Sequence, residues 1–175
     1  MISQVNDNCL PVSDTLEKSP LELVFRDSLR EFYWSKNQRM RTLLKLENVA
    51  LNGQLRRRIR EYFETCRAQL YSVEHVFELL DEIAEGQRCA LTESSCRNAM
   101  AVLNTTGSGG NDKAIRSSLA EFFAHEITAL EYLMNQAFAM DRIDLARIIR
   151  EMQRKTQAAF ETSFQISLNN TDIAA

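Results

Sequence analysis

Leu55–Ala84, LRRRIREYFETCRAQLYSVEHVFELLDEIA, carries the clearest helical period in the chain. Its apolar or small positions run Leu55, Ile59, Tyr62, Cys66, Gln69/Leu70, Val73, Val76/Phe77, Leu80 and Ile83, the three-four spacing of one helix face. A helix of this length spans about 45 Å, too long to bury alone in a small globule and suited to an antiparallel bundle.

The composition agrees. A chain of 175 residues has interior enough for one domain without covalent staples. Only five glycines and two prolines interrupt it, which points to an all-helical protein. A net charge of −3 argues against a nucleic-acid or membrane-surface role. The opening MISQVNDNCLPVSD has neither a basic stretch nor an apolar core of a signal peptide, and no apolar run approaches membrane-spanning length, so a cytoplasmic location is expected. Cys9, Cys66, Cys89 and Cys96 form no CxxC pair and read as reduced structural thiols.

Residues 1–18 lack periodicity and read as a loose tail, 19–168 as a single helical domain, and 169–175 as a second tail. Ser19 caps the first helix with Pro20 at its first position, and its seam runs Phe25, Leu29, Tyr33, Lys36, Met40, Leu43. Asn52 and Gly53 turn the chain into the second helix, which Gly86 closes as a C′ glycine. A short third helix is expected over 91–104, with Thr92 as its cap and Leu91, Ser95, Asn98 and Val102 facing inward. Thr105–Asn111 reads as a flexible linker, since no strand precedes its glycines and Walker spacing is absent. The fourth helix, about 112–140, has the seam Ile115, Leu119, Phe122, Glu126, Leu130, Leu133, Ala137, Met140. Asp141 is the expected cap of a fifth, with Leu145, Ile148/Ile149, Met152, Thr156, Ala159, Ser163 and Ile166 inward. Four long helices joined hairpin, crossover, hairpin give the ferritin-like arrangement, although periodicity alone leaves other up-down bundles open.

The stretches LREFYWSKNQ (29–38), YFETCRAQL (62–70), VEHVFELL (73–80) and QRCALTES (87–94) resemble the YciF-like bacterial stress proteins, a branch of the ferritin-like superfamily. The resemblance covers 19–170 and implies a homodimeric five-helix protein with a carboxylate-bridged di-metal site in the main bundle. It also shows where this sequence departs. Lys36 stands where the family has a metal-binding glutamate, Tyr62 where it has a histidine, Asn98 a glutamate, Phe123-Ala124 a Glu-His pair, and Lys155-Thr156 a Glu-Glu pair. Only Glu126 keeps a carboxylate in register, and such a site needs about four carboxylates and two imidazoles. His75 and His125 fall one position off the seams and read as partly exposed surface imidazoles.

Lys36 and Glu126 therefore interrupt apolar seams. They pair inside the bundle, with Tyr62, Asn98 and Thr156 satisfying what remains, or Lys36 snorkels to water past Tyr33. On the surface, Arg56, Arg57, Arg58 and Arg60 crowd the start of the second helix near Arg39, Arg41 and Lys45, against the helix dipole. They form either a solvated face paired with Glu61 and Glu64 or a basic patch for an acidic partner protein or a subunit interface; nucleic acid ranks last for want of interleaved aromatics. Phe32 and Trp34 add aromatic surface that suits a dimer contact or a cover from the third helix.

No nucleophile-base pair or nucleotide fingerprint is present, and Glu78, Asp81 and Glu82 read as a wet acidic face. The expectation is a non-enzymatic, cofactor-free bundle that binds another protein, as an adaptor, a regulator or a toxin-neutralising immunity protein. The alternative is an iron-handling oxidoreductase of the parent family, for which Glu31, Glu47, Glu61, Glu64 and Glu126 would have to converge.

Overall fold

The structure, a computed structural model, describes residues 19–101 and 110–169. The helices are α1 (Pro20–Val49), α2 (Gly53–Leu79), α3 (Ala90–Ala101), α4 (Gly110–Ala139) and α5 (Ile143–Asn169). Both tails beyond these bounds, Cys9, Val102 and the linker up to residue 109 lie outside the described residues, and Ile166 lies beyond the described side chains. Gly110 and Asn111, expected in the linker, already belong to α4.

Capping fixes where the first hairpin turns. Ser19 Oγ accepts the Glu22 N–H at 3.2 Å with Pro20 behind it, and Asn52 Oδ1 accepts the Leu55 N–H at 2.9 Å. The Asp112 carboxylate, at the start of α4, accepts the N–H groups of Leu51 and Asn52, both at 2.9 Å. That clamp puts the start of α4 at the hairpin end, so α2 and α4 run parallel. The chain between them must traverse the bundle, and α3 rides in that crossover against α1 and α4. The result is an all-α, ferritin-like four-helix bundle with a short fifth helix in its crossover.

At the other end, two turns repeat one device. Asp81 and Asp141 have φ 54° and 57°, the left-handed C′ conformation. Around them the N–H groups of Asp81 and Glu82 reach the Glu78 and Phe77 carbonyls, and those of Asp141 and Arg142 reach Phe138 and Ala137, all at 2.9 to 3.0 Å. Both are Schellman closures. This corrects two expectations: Asp141 ends α4 rather than capping α5, and Gly86 lies beyond the end of α2. Gly86 has another role, since a Cβ there would meet Trp34 Cβ at 3.0 Å. Trp34 thus packs against the segment that leads from α2 into α3.

Strict alternation of four- and three-residue steps defines the buried rows of α1 and α2. In α1 the row is Phe25, Leu29, Phe32, Lys36, Arg39, Leu43, Leu46, which replaces Tyr33 and Met40 by Phe32 and Arg39. Phe32 is core, not a dimer patch. In α2 it is Leu55, Ile59, Tyr62, Cys66, Gln69, Val73, Val76 and Leu80; Ile83, expected inward, is 89% exposed because the helix has already ended. In α3 the inward residues are Thr92, Ser95 and Ala99, while Leu91 and Asn98 face out. Thr92 is not a cap; its hydroxyl donates to Ser35 Oγ at 2.8 Å and pins α3 to α1. Glu82 is not part of a wet face, since it pairs with Arg26 and Arg30 of α1.

The apolar interior falls into two clusters. One is built around Phe25, Phe77, Leu130 and Ile149, the other around Leu43, Ile59, Ile115 and Phe122. A polar layer from all four long helices lies between them.

A left-handed conformation costs a non-glycine residue roughly 1–2 kcal/mol, part of which glycine's greater unfolded-state freedom offsets. Asp141→Gly, at an exposed site, should therefore raise unfolding stability by up to about 1 kcal/mol in urea titration. A loss of stability would show that the Asp141 side chain contributes more than its backbone strain costs.

Candidate functional site

The polar layer is assembled by phase. Tyr62, Cys66 and Gln69 follow one another at steps of four and three on the inner face of α2; Lys36 and Arg39 stand one turn apart on α1; Glu126 comes from α4 and Thr156 from α5. Lys36, Glu126 and Thr156 have no solvent exposure. Lys36 does not snorkel.

Glu126 is the acceptor at the centre. Lys36 Nζ and Thr156 Oγ1 donate to its Oε1, the latter at 2.7 Å. Tyr62 Oη donates to Oε2 at 2.9 Å, and Arg39 Nη1 lies 3.4 Å from the same oxygen. Gln69 links the ring to α5: its Oε1 accepts from Lys36, and its Nε2 donates to Met152 O and Thr156 Oγ1, both at 2.9 Å. Phe123 stacks on Tyr62 at 3.9 Å between ring centroids, and Lys36 Nζ lies 5.4 Å from the Phe32 centroid.

Burial by itself would push the Glu126 carboxyl up, but the Lys36 and Arg39 charges, with hydrogen bonds from Lys36 and Thr156, bring it below the ordinary glutamate value of 4.5. Burial likewise opposes the Arg39 charge, which the Glu126 carboxylate restores, with Tyr62 adding to it only where its phenol ionises. Burial pushes Tyr62 well above the usual phenol range and Cys66 to about 11. The layer thus sets two basic side chains, Lys36 and Arg39, against one carboxylate, beside a phenol and a thiol that burial holds neutral.

Of the positions matched to the family's metal ligands, Lys36, Tyr62, Glu126 and Thr156 converge and Phe123 buttresses them. Asn98, Ala124 and Lys155 are exposed and have no part in the layer, Lys155 instead lying 3.7 Å from Glu151 on the surface. Asn98 therefore satisfies nothing in the core. The donor set does not fit a di-metal centre: its single carboxylate is already saturated by hydrogen bonds, and divalent ions would add to a net positive charge. Among the described residues, no group of three or more His, Cys, Asp or Glu side chains is placed to hold a metal ion. The glutamates needed for the iron-handling alternative do not converge either. Glu47 pairs with Arg60, Glu61 with Arg58 and Glu64 with Arg67 on the outside of the hairpin.

Of the seven residues of the basic cluster, one is buried and two are paired. Arg39 is 2% exposed and belongs to the core, while Arg58 and Arg60 are paired. Arg41, Lys45, Arg56 and Arg57 are exposed, with no carboxylate partner among the described residues. His75 is exposed beside Glu78, but His125 is only half-exposed and its Nδ1 is buried without a partner.

Charge count ranks the expected costs of substitution. Glu126→Gln strands both cations and should cost roughly 3–5 kcal/mol, whereas Lys36→Met leaves a balanced Arg39–Glu126 pair and should cost less. Because the folded Glu126 value lies below the unfolded one, its contribution is complete above about 4.5 and is lost as pH falls through the folded value. Urea titrations across that window should show an acid loss of stability that Glu126→Gln lacks. Equal costs for the two variants would contradict the charge count.

The family model described as "Domain of unknown function (DUF892)" matches residues 20–168. Among solved structures, the Escherichia coli stress protein YciF superposes with a TM-score of 0.82 at 20% identity, covering 89% of this chain and 99% of that one. YcfI, a putative structural protein from Rhodopseudomonas palustris, superposes with a TM-score of 0.79 at 19% identity, covering 85% of this chain and 96% of its own. No protein of curated function matches the sequence. Since the family model spans nearly the whole helical region, the chain belongs to the DUF892 family and carries the YciF-like form of the ferritin-like fold.

Proposed function

We propose that this chain is a non-catalytic member of the YciF-like family, in which side chains replace the metal centre and which acts by binding another protein. The observation that carries this reading is the fully buried Lys36 ammonium, bonded to the one carboxylate that remains at the centre of the bundle. A lysine in that place supplies a fixed positive charge without an open coordination position, so the interior can hold the helices together but offers a metal nothing to bind. Function then moves to the surface. The unpaired arginines and lysine of the hairpin end supply a basic face for an acidic protein, in the manner of a stress-response adaptor, a regulator or an immunity protein. Pairing with a second copy and residence in the cytoplasm belong to the same proposal; no helix among the described residues is long and apolar enough to cross a membrane.

Anaerobic Fe(II) loading, desalting and metal analysis by mass spectrometry test the first half. The expected outcome is no stoichiometric iron and no oxygen-dependent absorbance. A retained iron pair per chain that colours on oxidation would return the protein to redox chemistry. Cross-linking in the native host tests the second half: a discrete adduct with another protein, weakened by Arg56→Glu with Arg57→Glu, is expected, and its absence in the wild type would overturn the binding role.

A further inference from the structure

Beside the polar layer, under α3, a cavity of about 150 Å³ opens between α1 and α4. Ser35, Arg39, His125, Ala129 and Tyr132 form much of its wall. Two of these residues carry buried polar atoms with no partner: Arg39 Nε and His125 Nδ1. Arg39 is 2% exposed, and its one contact with Glu126 is long at 3.4 Å. Ser35 Oγ accepts the Thr92 hydroxyl at 2.8 Å, which leaves its own hydrogen free to donate.

Charge supplies an independent argument. Lys36 alone balances Glu126, and Arg39 is one buried cation too many for the carboxylates of the layer. Arg39 shares that carboxylate with Lys36 at the longer distance, and an orphaned guanidinium N–H beside a cavity is where an anion relieves the cost of its burial. Size and valence narrow the choice. The pocket, about 150 Å³ and partly open to solvent, has room for a short-chain acid. One surplus positive charge matches a monoanion. Glu31, also on the wall and about 12 Å along α1 from Arg39, further disfavours a dianion such as phosphate.

We propose that this cavity binds a small monocarboxylate, gripped by the Nε–H edge of Arg39, with His125 in its Nδ1–H tautomer and the Ser35 hydroxyl completing the donor set. The bound carboxylate neutralises the surplus charge of the layer, and its alkyl end lies against Ala129 and the ring of Tyr132. The site is separate from the exposed arginines of the hairpin end, so it does not depend on the protein-binding proposal.

Sodium acetate is the probe, titrated into the full chain against sodium chloride at matched ionic strength, by calorimetry and by thermal melting. The expected result is saturable one-to-one acetate binding with a rise in Tm that follows mass action. Ala129→Leu, which fills the cavity, and Arg39→Gln, which removes the surplus charge, should each abolish the acetate response. Of the two, Ala129→Leu leaves the polar layer intact, so it answers the question even if Arg39→Gln does not fold. No saturable response in the wild type, an equal response to chloride, or acetate binding that survives Ala129→Leu would each overturn the assignment.

Discussion

A carboxylate cannot stay ionised inside a helical bundle unless cations and donors meet it there, and Glu126 is met from every long helix: Lys36 and Arg39 from α1, Tyr62 from α2 and Thr156 from α5. This convergence fixes the axial register of α1, α2, α4 and α5 at one level. Apolar seams alone would tolerate a slide of one helix along another with little loss of contact. A shift of one turn here would strand a charge. The two hydrophobic clusters on either side supply most of the burial energy, and the layer between them specifies how they align.

The same layer explains what the bundle gives up. A ferritin-like interior is organised to gather carboxylates and imidazoles about metal ions. Here an ammonium, a guanidinium, a phenol, an amide and a hydroxyl occupy that level around the Glu126 carboxylate, and all but the guanidinium are fully engaged there. Cys66 sits among them as a thiol whose value burial pushes up to about 11. Two of the buried polar atoms left without partners, Arg39 Nε and His125 Nδ1, belong to residues on the α3 side, where the cavity begins.

Much of this was legible in the sequence, and the failures have physical causes. Ser19-Pro20 and Asn52-Gly53 marked helix starts because their chemistry is local. Lys36 and Glu126 were visible as charges on apolar rows. Arg39 was not, because a looser reading of α1 through Tyr33 and Met40 carried the seam off the heptad; the strict four-three rhythm from Phe25 places both Phe32 and Arg39 inside. Gln69 was seen as a seam position but not as a link, since only the approach of α5 gives its amide two acceptors. The glycine at 86 was misleading, because the left-handed residue that closes α2 is Asp81 and the glycine instead makes room for Trp34. Asn98, Ala124 and Lys155 were placed by likeness to a motif, and the rotation of their helices puts them on the surface.

The claim on which the account rests is that Lys36 and Glu126 act as one unit, and a double-mutant cycle measures that directly. Lys36→Met, Glu126→Gln and the double variant, each unfolded in urea at neutral pH, give the coupling free energy of the pair. A favourable coupling of about 1–3 kcal/mol is expected, as for contacting groups in one buried network. Additive effects, within roughly 0.5 kcal/mol, would mean that the two charges do not hold the bundle's centre together.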